Sequence, residues 1–282
     1  AAALGGNISI IGAPGNLMGV SALNELGIET SFFEYLIVGG PMILAGILFF
    51  ALFGYKLLPQ NSGAASLEDD QFAVKDYSHV PKWKQYMSLA VLIIAILAMV
   101  FEKQIGIKLQ VSASVGAIIL ILTGVISEKE ALKSIDLKTV FLFGGSLALA
   151  TALEHTGAGS LIADTLIGAM GNEVHPLILL VVIFVITCTM TNFMSNTATT
   201  ALMVPIAVSL AQGLGADPRA VVIATVIAGS CAYATPIGMP ANTMVVGIGG
   251  YKFTDYVKAG LPLILVSFII CMVILPVAYP FF

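Results

Sequence analysis

The sequence predicts an all-α polytopic membrane protein, built as an inverted repeat with a re-entrant hairpin and broken transmembrane helices. Three observations carry this. Only 10% of the 282 residues are charged and 58% are hydrophobic, whereas a soluble domain averages about 25% charged. Long apolar runs alternate with short polar breaks along the whole chain. Two of the apolar segments are too long for a single crossing, and each is interrupted at its centre by polar residues or prolines.

With a mean hydropathy of +1.00, most of this surface needs lipid as its solvent. The net charge of -4 and the lack of a basic patch exclude nucleic acid as a partner. Cys188, Cys231 and Cys271 all lie in apolar stretches at spacings that match no zinc or redox motif, so they read as packed thiols. No basic start followed by a short apolar run marks a signal peptide, and the chain reads as starting inside a longer protein.

In chain order, residues 1–24 read as a broken helix that closes a first repeat. Residues 35–58 read as a spanning helix, since crossing the hydrocarbon takes roughly 20 apolar residues. Residues 59–84 carry Glu68, Asp69, Asp70, Lys75, Asp76, Lys82 and Lys84 and read as a solvated linker. Residues 85–176 hold scaffold-type helices at 86–101, 111–126 and 139–153, followed by a surface helix at 157–172. Glu154, His155, Asp136 and Lys138 fall at helix ends near the headgroups.

The segment 177–216 exceeds one crossing at about 1.5 Å per residue. Its centre holds Thr187, Thr189, Thr191, Asn192, Ser195, Asn196, Thr197, Thr199 and Thr200. A re-entrant hairpin with its tip buried in protein fits that pattern. In 219–250, the run Thr235-Pro-Ile-Gly-Met-Pro-Ala-Asn242 contains two prolines and a glycine. Proline breaks the backbone ladder, which predicts two half-helices around an unwound middle. Residues 259–282 read as a last spanning helix.

Positive charges give an independent check. With 59–84 on the cytoplasmic side and 177–216 as a hairpin, Lys56, Lys75, Lys82, Lys84, Lys129, Lys133, Lys138, Lys252 and Lys258 fall inside. Lys103, Lys108 and Arg219 fall outside. Nine against three agrees with the positive-inside rule. A single crossing at 177–216 would move Lys252 and Lys258 outside and weaken the bias.

The chain also resembles itself. Gly12-Ala-Pro-Gly-Asn16 matches Gly238-Met-Pro-Ala-Asn242, at an offset of 226. Glu34-Tyr35 matches Asp255-Tyr256, and Gly39-Gly-Pro41 matches Gly260-Leu-Pro262, both at an offset of 221. On the expected topology the two copies run in opposite directions. Inverted repeats of this kind are a signature of secondary transporters. The second copy has a hairpin before its broken helix, so a segment carrying the partner hairpin is expected ahead of residue 1.

The Ser195-Asn196-Thr197 triplet carries the strongest chemical signal. Each buried hydroxyl or amide without a partner costs roughly 1–3 kcal/mol. Single threonines have a plain explanation, since they bond back to the preceding helical turn. A triplet where two half-helices meet calls for a ligand. Sodium takes oxygen ligands, and Ser, Thr, Asn and unwound carbonyls supply them, while half-helix ends favour ions. Ser195, Asn196 and the carbonyl of Gly238 are the candidate sodium ligands. Thr191 lies one turn earlier and adds a hydroxyl, and Gly12 plays the matching part in the other half-site. No Asp, Glu, Lys, Arg or His lies between Leu177 and Asp217, or between Ala220 and Tyr251. Proton-coupled carriers place a relay at such depth, so its absence favours sodium coupling and an anionic solute.

These motifs resemble the divalent anion:sodium symporter family, within the wider citrate-transporter-like ion transporter superfamily. The matching features are Ser195-Asn196-Thr197 followed by Ala-Thr-Thr-Ala-Leu-Met-Val-Pro205, the turn Pro236-Ile-Gly-Met-Pro-Ala-Asn242, and Asp136-Leu-Lys-Thr-Val-Phe-Leu-Phe-Gly-Gly145. The resemblance implies sodium-driven uptake of dicarboxylates, citrate or sulfate by an elevator-type homodimer, with sodium as the coupling ion and no cofactor. By position it implies sodium binding by Ser195, Asn196 and Gly238. It places Ser195, Asn196, Thr197, Met239 and Pro240 along the substrate, with Gly12, Ala13 and Pro14 opposite. Where the family carries Thr in the turn, this sequence has Met239 and Ala13; in place of the second Pro it has Ala241 and Gly15. An arsenite-efflux permease or sodium/proton antiporter of the same superfamily is the alternative, and an acidic pair at the midplane would favour antiport. Motifs of intramembrane enzymes, such as Gly-x-Gly-Asp or His-Glu-x-x-His, are absent from the sequence, so no enzymatic role is expected. A purely structural scaffold would predict that Asn196→Ala leaves flux unchanged.

Overall fold

The computed structural model describes residues 2–58, 80–158, 161, 165, 168, 175–239, 241–243, 245 and 251–281. The linker expected at 59–84 and the surface helix expected at 157–172 fall mostly outside these residues, and so does most of the second half-helix expected up to 250. Among the described residues every regular element is helical. The chain divides into two compact units, residues 67–138 and a larger unit of residues 1–66 with 139–282.

The larger unit begins with α1 (Ala2–Gly6), which stops before a non-helical stretch, and α2 (Pro14–Glu25) then restarts the helix. Pro14 opens α2 where its missing N–H would have no partner anyway. Next come α3 (Leu36–Leu52) and a short 3-10 turn at Gly54–Leu57. In the smaller unit, α4 (Lys82–Val100) packs on α6 (Leu109–Leu122), with α5 (Glu102–Ile105) and α7 (Glu128–Lys133) at their ends. Gly106 and Gly124 reverse the chain at φ of 71° and 69°. In α7, Ser127 and Glu130 cap each other reciprocally. The two hydrogen bonds donated by the Ser127 hydroxyl and N–H hold the pKa of the Glu130 carboxyl below the usual carboxylate value.

α8 (Leu137–Thr156) leads from the smaller unit's sequence back to the larger one. Then come α9 (Pro176–Thr191), α10 (Asn196–Gly213), α11 (Pro218–Ser230) and α12 (Phe253–Ala278). Pro218 follows Asp217, whose carboxylate accepts from the Arg219 N–H at 2.8 Å. α11 is the core of the larger unit. It is apolar all round, and every residue from Ala220 to Ser230 is buried, as an internal helix requires. α9 and α10 flank it, and α2 packs against both α10 and α11. α12 lies along α3.

Among the described residues two helices, Lys82–Val100 and Phe253–Ala278, are long and apolar enough to cross a membrane. The other apolar helices are shorter, including Leu36–Leu52 and Leu109–Leu122. Outward side chains are large and apolar, with Val277 80% and Leu122 81% exposed. In water such surfaces would drive association; facing lipid they carry no cost.

Candidate functional site

The site is assembled from the interruption between α9 and α10 and from the two places where helices stop short, at 7–13 and at 231–239. α9 ends at Thr191 and α10 begins at Asn196. The polar stretch 187–200 therefore does not run as one helix. Its break, residues 192–195, forms a tip between two helices that pack on each other.

Ser195 caps α10, its hydroxyl accepting from the Ala198 N–H at 3.2 Å. The Thr191 hydroxyl lies 2.9 Å from Asn196 Oδ1 and 2.5 Å from the Gly229 carbonyl, so it ties tip, α10 and α11 together. Gly238 sits against this knot. A methyl group added at Gly238 would stand 3.1 Å from the Thr191 carbonyl and 2.7 Å from the Ala232 Cβ. The backbone approaches this closely only because the residue is glycine.

Asn192 was legible only as one polar residue among nine, yet it holds the junction. It is buried, and its amide donates to the carbonyls of Cys188 at 2.8 Å and Cys231 at 3.2 Å. Its Oδ1 accepts from the Ala234 N–H at 3.0 Å. Thr235 returns the contact, donating to the Asn192 carbonyl at 2.5 Å and accepting from the Gly238 N–H at 3.2 Å. The unwound segment after α11 thus has the carbonyl of Cys231 and the N–H of Ala234 satisfied by Asn192.

Gly12, Ala13 and Pro14 lie at the start of α2. Gly15 beside them faces Thr200 of α10, where an added methyl group would stand 3.0 Å from the hydroxyl. Gly229 of α11 also faces that hydroxyl. The first turns of α2 and α10 are therefore neighbours, and α11 ends beside them. Two helix N-termini present N–H groups and positive dipole to an anion, and a helix C-terminus favours a cation. Along the tip, burial grades from Thr191, fully buried, to Asn196 and Thr197, half-buried, and Ser195, exposed. Met239 is half-buried, and Pro240 lies outside the described residues. The donor set is oxygen from hydroxyls, amides and carbonyls without a formal charge. It suits a weakly held monovalent cation rather than a transition metal, which takes imidazole or thiolate.

A separate cleft behind the tip, between α9 and α12, is walled by Phe184, Phe193, Phe253, Val257 and Phe268. Its apolar lining makes it unsuited to an anion.

The two repeat copies share their bonding as well as their letters. The Asn16 amide donates to the carbonyls of Gly6 at 2.8 Å and Ser9 at 2.7 Å. The Asn242 amide donates to those of Ala232 at 2.7 Å and Thr235 at 2.8 Å. Tyr35 donates to the Asn16 carbonyl at 3.0 Å and Tyr256 to the Asn242 carbonyl at 2.8 Å. The Asn7 side-chain amide and the Asn16 Oδ1 are buried without hydrogen-bond partners among the described residues.

Comparison with known proteins agrees with this picture. The family model described as "Citrate transporter" matches residues 1–228. An uncharacterized transporter of Haemophilus influenzae is 31% identical over 95% of the chain and 59% of its own length. The uncharacterized transporter YfbS of Escherichia coli is 36% identical over 55% of the chain and 25% of its length. The sodium-dependent dicarboxylate transporter SdcS of Staphylococcus saprophyticus is 25% identical over 95% of the chain and 56% of its length. The chain thus spans between a quarter and three-fifths of the length of these relatives.

Proposed function

This chain belongs to the citrate transporter family, and from that premise we propose that it carries the binding core of a sodium-coupled symporter for a small divalent anion. A dicarboxylate, citrate and sulfate are the candidate solutes. The single observation that carries the reading is the junction of Thr191, Asn196 and Gly238, where a helix pair breaks against an unwound segment in a place with no charged side chain.

In this reading α9 and α10 form a re-entrant hairpin, and the two broken segments are inverted copies. Ser195, Asn196, Thr191 and the Gly238 carbonyl hold one sodium ion, and Gly12 serves a second. The ion offsets the charge of the solute, which rests against the N-terminal turns of α10 and α2 beside Asn196, Thr197, Met239 and Pro240, with Ala13 and Pro14 opposite. Without the cation the dianion faces only dipoles and neutral donors; with it, the two bind cooperatively. Coupling follows, because each ligand raises the other's affinity by the same factor. The name of the SdcS relative supports sodium and a dicarboxylate. The protein acts as a homodimer in the cell membrane, with residues 59–84 in the cytoplasm, a placement supported by the nine-to-three bias of positive charge.

The test is uptake of labelled succinate, citrate and sulfate by the full-length protein in liposomes, with sodium or choline outside. Sodium is expected to accelerate uptake of at least one of them, and Asn196→Ala to abolish that acceleration. Equal uptake in the two buffers would overturn the reading.

A further inference from the structure

A helix that stops inside a protein leaves carbonyls without donors. At both breaks of this chain, one asparagine takes up that role. Asn16 and Asn242 each use both N–H groups of a single amide, and each reaches back ten residues and seven residues along the chain. Each has its own carbonyl held by a tyrosine from the start of the next long helix, Tyr35 before α3 and Tyr256 in the first turn of α12. The approach to that tyrosine is fixed the same way in both copies. The Ser31 N–H donates to Glu34 at 2.8 Å, and the Lys252 N–H donates to Asp255 at 2.8 Å. Downstream, Gly39 and Gly260 let the next helix press on the unwound backbone, at the carbonyls of Asn7 and Tyr233 respectively. Five matched contacts in one order are not required by the helices themselves, since most connections manage without them.

The placement of the clamps gives them a purpose. The bond from Asn16 to Ser9 closes a loop that contains Gly12, and the bond from Asn242 to Thr235 closes a loop that contains Gly238. Those two glycines occupy the same position in their loops, three residues after the clamped carbonyl. Gly12 donates its N–H to the Ser9 carbonyl at 3.1 Å. Gly238 donates its N–H to the Thr235 hydroxyl at 3.2 Å. In both loops the amide side of the glycine is tethered inward. A carbonyl ligand helps a cation only if its direction is set before binding, because reorienting a loop on binding consumes affinity.

We propose that Asn16 and Asn242, each locked by its tyrosine, are paired positioning residues that pre-set the glycine carbonyls of two matched cation sites. The inference rests on the sodium-coupled reading above and extends it. Neither asparagine is assigned contact with the ion or the solute. Each acts through the loop that it closes.

The experiment measures uptake by the full-length protein in liposomes across a sodium titration at saturating solute, and across a solute titration at saturating sodium. Variants are Asn16→Ala, Asn242→Ala, Tyr35→Phe and Tyr256→Phe. Loss of two neutral hydrogen bonds from a loop corresponds to about a tenfold or greater rise in half-saturating sodium for the asparagine variants. Loss of one hydroxyl corresponds to about a threefold rise for the phenylalanine variants. The maximal rate per molecule and the solute KM at saturating sodium are expected to stay within about twofold of wild type. Half-saturating sodium unchanged in variants of normal abundance would overturn the proposal, and so would a fall in maximal rate alone. If an asparagine variant does not accumulate, the phenylalanine variant of the same clamp decides, since it removes one oxygen and keeps the ring that fills the same space. Wild-type uptake that ignores sodium is a different result, and it would overturn the sodium-coupled reading itself.

Discussion

Asn192 joins the break between α9 and α10 to the segment after α11 with two hydrogen bonds, to Cys231 and Ala234, and its buried side chain makes a third to Cys188 of its own helix. Asn192→Ala leaves two carbonyls and one N–H without these partners, at a cost of about 2–4 kcal/mol. Thermal unfolding of the purified full-length protein without sodium is expected to fall well below wild type. Phe193→Ala, at an adjacent exposed position, is expected to leave it unchanged. A string of letters does not separate these roles. The polar cluster at 187–200 was visible, and Ser195, Asn196 and Thr197 stood out as a triplet. Asn192 did not, because its partners Cys231 and Ala234 lie about 40 residues away and only packing brings them near. Asn16 and Asn242 were legible as the ends of a repeated pattern, but their clamp reaches back along a non-helical path that no periodicity describes.

Helix interruptions were easier to read than helix lengths. Pro236, Gly238 and Pro240 announce a break through missing N–H groups and a missing Cβ, and the chain does leave the helix after Ser230. The spanning helix expected over 35–58 is shorter in the structure: α3 has 17 residues and ends before Phe53, where apolar composition alone would continue. The close approaches between elements give a sharp test. A methyl group at Gly39 or Gly260 would overlap the carbonyls of Asn7 or Tyr233, and backbone cannot move aside as a side chain can. Gly39→Ala and Gly260→Ala are each expected to lower the yield of folded protein in detergent, measured by size-exclusion chromatography. Gly144→Ala, with open space around it, is the control. Normal yield of all three would show that the paired contacts are looser than they look.

For the whole molecule, composition decided the solvent and the charges suggested the orientation. The apolar outer faces of α4 and α12 agree with lipid, and the chain belongs to the citrate transporter family. The side of each loop is an expectation from lysine placement. A cysteine introduced by Lys75→Cys is expected to react with an impermeant maleimide only from the cytoplasmic side, and one introduced by Lys103→Cys only from outside. The native thiols are buried and leave a low background. Reaction of both from one side would invert or discard the topology. The central claim is that an uncharged set of hydroxyls, amides and loosened main chain at Asn196 and Gly238 holds sodium. Equilibrium binding of radioactive sodium to the purified full-length protein tests it most directly. The account predicts saturable binding in wild type that is lost in Asn196→Ala. Undiminished binding in that variant, or none in wild type, would contradict it.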